Sequence, residues 1–217
     1  VRAQFSLGSL AASTAPGYST AFPLTQNPIS EGGAWANGGI DPPRTNVQTD
    51  GVHAFGTMSS FDGTNYPDSV ALLTSTYPAN QWVQGVIYNS GALSGLEVEL
   101  LLRGTAGTTS FPYYELDWVY SSQELNLVIN NGPDNSFTIL ATVTTNVNLS
   151  DSIVLYGQMV GTVITAKCGS NTVLTYDTAG DSVKLSSGTP GMGFWNETGS
   201  SANSTKFGLR SFSAGVI

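Results

Sequence analysis

At 217 residues, with charged side chains making up only 10% of the chain, the sequence has the length of one all-β sandwich or barrel. Seven Lys+Arg against fifteen Asp+Glu give a net charge of −8, and no basic cluster offsets it, which excludes nucleic acid as a direct ligand. No apolar run reaches the roughly 18 residues of a membrane span, and the single Cys168 can close no internal disulfide.

The first segment, "VRAQFSLGSLAASTAPGYST" (1–20), is rich in small and polar residues and has one early Arg. It is a poor signal peptide and reads as an arm that packs on a neighbouring subunit. From about residue 45 short β-branched and aromatic runs alternate with turn residues. They are "DSVALLTS", "QWVQGVIYN", "LEVELLLRG", "YYELDWVY", "ELNLVIN", "SFTILATVT", "DSIVLYGQMVG", "TVITAKCG", "NTVLTYDT" and "KFGLRSFSAG". Two hairpins are legible, one turning at Asn131-Gly132 and one at Gly169 to Asn171. No segment carries a 3.6-residue period. Roughly a dozen strands spaced about ten residues apart predict a two-sheet antiparallel sandwich, with one domain at 21–217 behind the arm.

The order "QNPISEGGAW", "YYELDW…LNLVINNGPDNSFTILATV", "DSIVLYGQMVGTVITAKCGSNTVLTYD", "SGTPGMGFW", "FGLRSFSAG" resembles a concanavalin A-like, LamG-type jelly roll. The likeness covers nearly everything after about residue 20. It implies that the strand Pro190 to Trp195 follows a Gly-rich turn and that the last strand returns beside the N-terminal one. That fold hosts lectins, glycoside hydrolases, lyases, adhesion domains and virion surface proteins, so the likeness implies architecture more than activity.

Residues two apart on a strand share a face. Tyr113, Glu115, Asp117 and Val119 therefore point one way, while Tyr114, Leu116, Trp118 and Tyr120 point to the core. The run before repeats the pattern, with Glu97, Glu99 and Arg103 opposite Val98, Leu100 and Leu102. If the two strands are neighbours, one sheet face carries Glu97, Glu99, Arg103, Tyr113, Glu115 and Asp117. On a jelly roll that face can be the groove where glycans lie. Laminarinase-like jelly rolls carry Glu-x-Asp-x-(x)-Glu there, and Glu115-Leu116-Asp117 matches the first half, giving Glu115 as nucleophile and Asp117 as helper. The acid is missing at Trp118, Val119 and Tyr120. Retaining hydrolysis needs a second carboxyl roughly 5 Å from the first, which Glu124, Glu97 or Glu99 would have to supply. The simpler expectation is a solvated strand face, kept soluble by carboxylates beside Arg103.

Trp35 in "EGGAWANGG" and Trp82 after "YPAN" border loops and are the expected sugar-stacking residues; Trp118 and Trp195 read as core. Asp62, Asn65 and Asp68 in "FDGTNYPDS" make an oxygen-rich loop of the kind that can hold calcium, without EF-hand spacing; a plain Asx-turn loop is the simpler expectation. No other cofactor is indicated. A lyase scheme built on Arg103 with Tyr113 or Tyr88 lacks the motifs that would support it. The expected function is a non-catalytic surface protein, a virion decoration or extracellular adhesion component that can bind glycans, with a glycoside hydrolase using Glu115 and Asp117 as the alternative. Its expected partners are protein neighbours in a surface assembly, further copies of itself in a homo-oligomer, or a polysaccharide.

Overall fold

The computed structural model describes residues 17–40, 44–58, 68–91, 95–132, 136–196 and 205–217. Among them are β1 (Tyr18–Thr20), β2 (Thr25–Gln26), β3 (Trp35–Asn37), β4 (Val47–Asp50), β5 (Ala54–Gly56), β6 (Ser69–Leu73), β7 (Gln81–Asn89) and β8 (Leu96–Gly104). β9 (Tyr113–Val119), β10 (Glu124–Asn130), β11 (Phe137–Val143) and β12 (Val154–Val160) follow. The chain ends with β13 (Val163–Cys168), β14 (Asn171–Asp177), β15 (Thr189–Asn196) and β16 (Phe207–Val216).

These strands form two antiparallel sheets, the jelly-roll sandwich expected from the alternation. One runs β14-β13-β12-β7-β16-β5-β4-β2, with β1 added on β16; the other runs β11-β10-β9-β8-β15-β6-β3. The last strand does lie beside the N-terminal one, Tyr18 opposite Ala214. The hairpin at Gly169 is a two-residue turn closed by Cys168 opposite Asn171. Gly169 has φ +58° there, a conformation that costs glycine nothing. Strand β6 occupies "SVALL", with no helix.

The core lies between the sheets because each strand turns one parity inward. Val98, Leu100 and Leu102 of β8, Tyr114, Leu116 and Trp118 of β9, and Leu125, Leu127 and Ile129 of β10 are buried. They pack against Val83 and Ile87 of β7 and Leu155 and Met159 of β12. Each such side chain stabilises the fold by roughly 1.5–3 kcal/mol relative to exposure. The sheets approach so closely at Gly157 that a Cβ there would stand 2.2 Å from Leu116 Cδ1.

Two of the register shifts among the described strands bear on the seven-stranded sheet. Between β10 and β11 the register shifts at Leu127/Val128, so that Phe137 and Ile139 lie opposite Asn130 and Val128. On the β8–β15 ladder Thr189 pairs with Gly104 but Gly191 with Leu101, which leaves an extra residue in β8. Arg103, at φ +51°, sits in that irregularity.

Arg103 therefore leaves the carboxylate face on which plain alternation puts it. Its Nε donates to Ala79 O (3.0 Å), Nη1 to Leu185 O (2.9 Å) and Nη2 to Gly161 O (2.7 Å). It ties three loops together at one end of the sandwich and is committed to carbonyls. Lysine cannot reproduce this fork. Arg103→Lys is expected to lower the unfolding free energy by about 2 kcal/mol, read from urea unfolding. An unchanged midpoint would show that the fork contributes nothing.

Candidate functional site

The outward face of the seven-stranded sheet can be written as rows of directly opposed residues. Trp195 lies opposite Glu97, and Glu97 opposite Val119. The next row runs Gly193, Glu99, Asp117, Asn126 and Thr142. Below it come Gly191, Leu101, Glu115, Val128 and Ile139, and then Tyr113, Asn130 and Phe137. Cross-strand neighbours stand about 4.5–5.5 Å apart, so four carboxylates from two strands share one small area.

This face is not the solvated surface expected from alternation. Glu99 is 0% exposed, and Glu115 and Asp117 are 7% exposed. One reason is a second apolar cluster on this outer side, formed by Val70, Leu72, Leu101, Phe111 and Tyr113. Arg44 lies over the rings of Phe111 and Tyr113, 6.0 and 5.8 Å from their centroids. Its Nη2 donates to Asn130 Oδ1 at 2.9 Å. On the opposite side the bulged strand β11 raises Phe137 and Ile139 as an exposed apolar rim.

Between these walls lies a cavity of about 230 Å³. Glu97, Glu115, Asp117, Asn126 and Asn130 supply its polar lining, with Asp68 at one side; Val128, Phe137, Ile139 and Trp195 supply its apolar lining. Asn126 Nδ2 donates to Asp117 Oδ2 at 3.2 Å. Thr142 Oγ1 donates to Asn126 Oδ1 at 2.7 Å, which sets the orientation of that amide. Burial pushes the Asp117 carboxyl up to about 7. Burial first, then the charges of neighbouring carboxylates, also raises Glu97, Glu99 and Glu115 well above the usual carboxylate range. Water is scarce and like charges crowd together, so each proton is held more tightly than in solution.

The other residues singled out from the sequence fall in different places. Trp35 is 5% exposed and belongs to the core. Tyr18 and Phe212 pack on its ring at 5.3 and 5.1 Å, and its Nε1 donates to Tyr18 Oη at 2.9 Å. It is no sugar platform. Trp82 is half-buried on the outward face of the other sheet, stacked with Tyr156 at 6.2 Å. Tyr113 faces the carboxylates but is fully buried. Asp62 and Asn65 lie outside the described residues, whereas Asp68 joins the carboxylate cluster. Trp118 is core as expected, but Trp195 is half-buried and lines the cavity. Asn126 and Asn130 join it, and their signal was in "ELNLVIN", where the two asparagines share the parity of Val128 within an apolar run.

No family model and no curated relative matches the sequence. Solved structures do resemble the fold. The Bacillus licheniformis β-glucanase superposes with a TM-score of 0.54 at 12% identity, over 94% of this chain and 96% of its own. The carbohydrate-binding module CBM66 from Bacillus subtilis gives 0.50 at 12% identity, over 89% and 96%. The exoplasmic/lumenal domain of VIP36, in its Ca2+/Man3GlcNAc-bound form, gives 0.55 at 10% identity, over 89% and 87%. These likenesses establish a concanavalin A-like jelly roll, and at such identities they establish the fold alone.

Proposed function

We propose that this protein binds a glycan on the outward face of its seven-stranded sheet, with one sugar ring seated in the carboxylate cavity. The observation that carries the reading is the lining itself. A pyranose offers hydroxyl donors around its edge and an apolar C–H face, and the cavity sets carboxylate and amide oxygens at its floor against Trp195 and Phe137 at its side. Fold neighbours that include a carbohydrate-binding module and a glucanase support the same class of partner. The chain as a whole carries a net charge of −8, which disfavours uronate and sulfate groups, so the ligand is a neutral or amino-bearing glycan, met outside the cell or at a virion or cell surface. Use as a virion decoration or adhesion component depends on assembly, and removing residues 1–16, which leaves β1 in place, tests that by oligomeric state.

The test is native affinity electrophoresis through neutral, amino and acidic polysaccharides, with reducing ends assayed in the same gels. Retardation by a neutral or amino polysaccharide, with no new reducing ends, is expected. Free migration through every matrix would end the proposal. Trp82→Ala, on the other sheet, should migrate as wild type.

A second reading, retaining hydrolysis, is favoured by one register. Position 119, one of the two places where the laminarinase-like pattern can put its third carboxyl, is Val119, and Glu97 stands directly opposite it on β8. Glu115 would then be nucleophile and Glu97 the acid. New reducing ends that vanish in Glu115→Gln, with retardation kept, would replace binding by catalysis.

A further inference from the structure

A cluster at the edge of the cavity has a composition that sugar hydroxyls do not explain. One carboxylate oxygen from each of Asp68, Glu99 and Glu115 lies within 4.8 Å of the other two. Oxygens bound to one Ca2+ at about 2.3–2.6 Å can be no more than about 5 Å apart, so all three already fit one coordination sphere. They come from β8, β9 and the residue preceding β6, so the sheet itself sets most of the spacing.

Two further observations point to a cation. Glu99 is fully buried, and neither of its carboxylate oxygens has a hydrogen-bond partner. The Tyr113 hydroxyl, on the strand and face of Glu115, is also fully buried and unpartnered. Its surroundings include the charges of Asp68, Glu115 and Glu99. Buried oxygens left without partners are costly unless something satisfies them. Space for the Glu99 carboxylate exists only because position 193 is glycine, since a Cβ there would stand 1.9 Å from Glu99 Oε2.

We propose that Asp68, Glu99 and Glu115 bind a single Ca2+, with the Tyr113 hydroxyl as a neutral oxygen beside it. An all-oxygen donor set with no His or Cys suits a hard cation. Water completes the six to eight ligands that Ca2+ takes. The site goes beyond the glycan reading and does not depend on it, because it is tested without sugar.

The experiment uses the full chain stripped with EDTA. Tb3+ luminescence sensitised by the nearby aromatic rings is titrated and displaced with Ca2+, and the melting temperature is followed alongside. Saturable Tb3+ binding reversed by Ca2+ is expected, with Tm rising by about 5 °C at roughly a hundredfold excess of Ca2+ over its Kd. Glu99→Gln and Asp68→Asn should each weaken Ca2+ by about a hundredfold while folding normally in EDTA. Asp68 is only half-buried, so its variant decides the matter if Glu99→Gln does not fold. A wild-type protein that responds to neither ion overturns the site without any variant. Binding that survives in a folded variant, or a preference for Mg2+ over Ca2+, also overturns it.

Discussion

In chelator-containing buffer, stability is expected to fall by roughly 4 kcal/mol or more as pH rises from about 4 to about 8. The sign follows from the carboxylates on the sheet face. Asp117 titrates near 7 in the folded chain because it is buried, against an ordinary value of 3.8. The folded state therefore holds a proton that the unfolded chain releases. That contribution is complete below the unfolded value and is lost as pH climbs through the folded one. Glu97, Glu99 and Glu115 are shifted in the same direction, by burial first and then by the charges of neighbouring carboxylates, Asp117 and Asp68 among them. Asp50, Asp151 and Asp177 are shifted downward, but their contributions are lost only at acid pH, below this window. Urea unfolding across a pH series reads the slope directly, and Asp117→Asn should flatten it. Stability that is level or rises between pH 4 and 8 would show that these carboxyls are not crowded as described. Adding Ca2+ at the alkaline end should recover part of the loss if the cluster binds the ion.

The parity of the strands was readable residue by residue. In "YYELDWV" the alternation separates Tyr114, Leu116 and Trp118, all buried in the core, from Tyr113, Glu115 and Asp117 on the other face. What alternation cannot report is the cover over that face. Arg44 and Asp68 reach it from distant parts of the chain and Phe111 from the loop just before β9, and their arrival turns an expected wet surface into a cavity. Arg103 was misplaced because a bulge changes parity inside β8, and period-two reasoning has no term for an inserted residue. Trp35 borders glycine-rich loops, yet Tyr18 from one end of the chain and Phe212 from the other close over it. Trp195 was legible in principle. It shares its parity with Gly191 and Gly193, whose missing side chains make room for Leu72 and the Glu99 carboxylate on the same strand face.

Trp195→Ala and Asp117→Ala are each expected to weaken binding of the best-retarding polysaccharide by about thirtyfold, or about 2 kcal/mol. They test different halves of the proposed recognition. Trp195 offers the apolar wall that an axial or equatorial C–H face can lie against, and its removal widens the cavity without changing its charge. Asp117 offers an acceptor held in place through Asn126 and Thr142, and its removal leaves the apolar wall intact. The two side chains stand in adjacent rows, separated by β8, so a ligand touching both must span the cavity floor. A sugar ring seated there should make the double variant lose about a thousandfold, close to the sum of the single effects. A ligand held only along the rim of β11 would instead respond to Phe137→Ala and ignore both Asp117→Ala and Trp195→Ala. Folded single variants that are retarded as strongly as wild type would remove the cavity as the binding site.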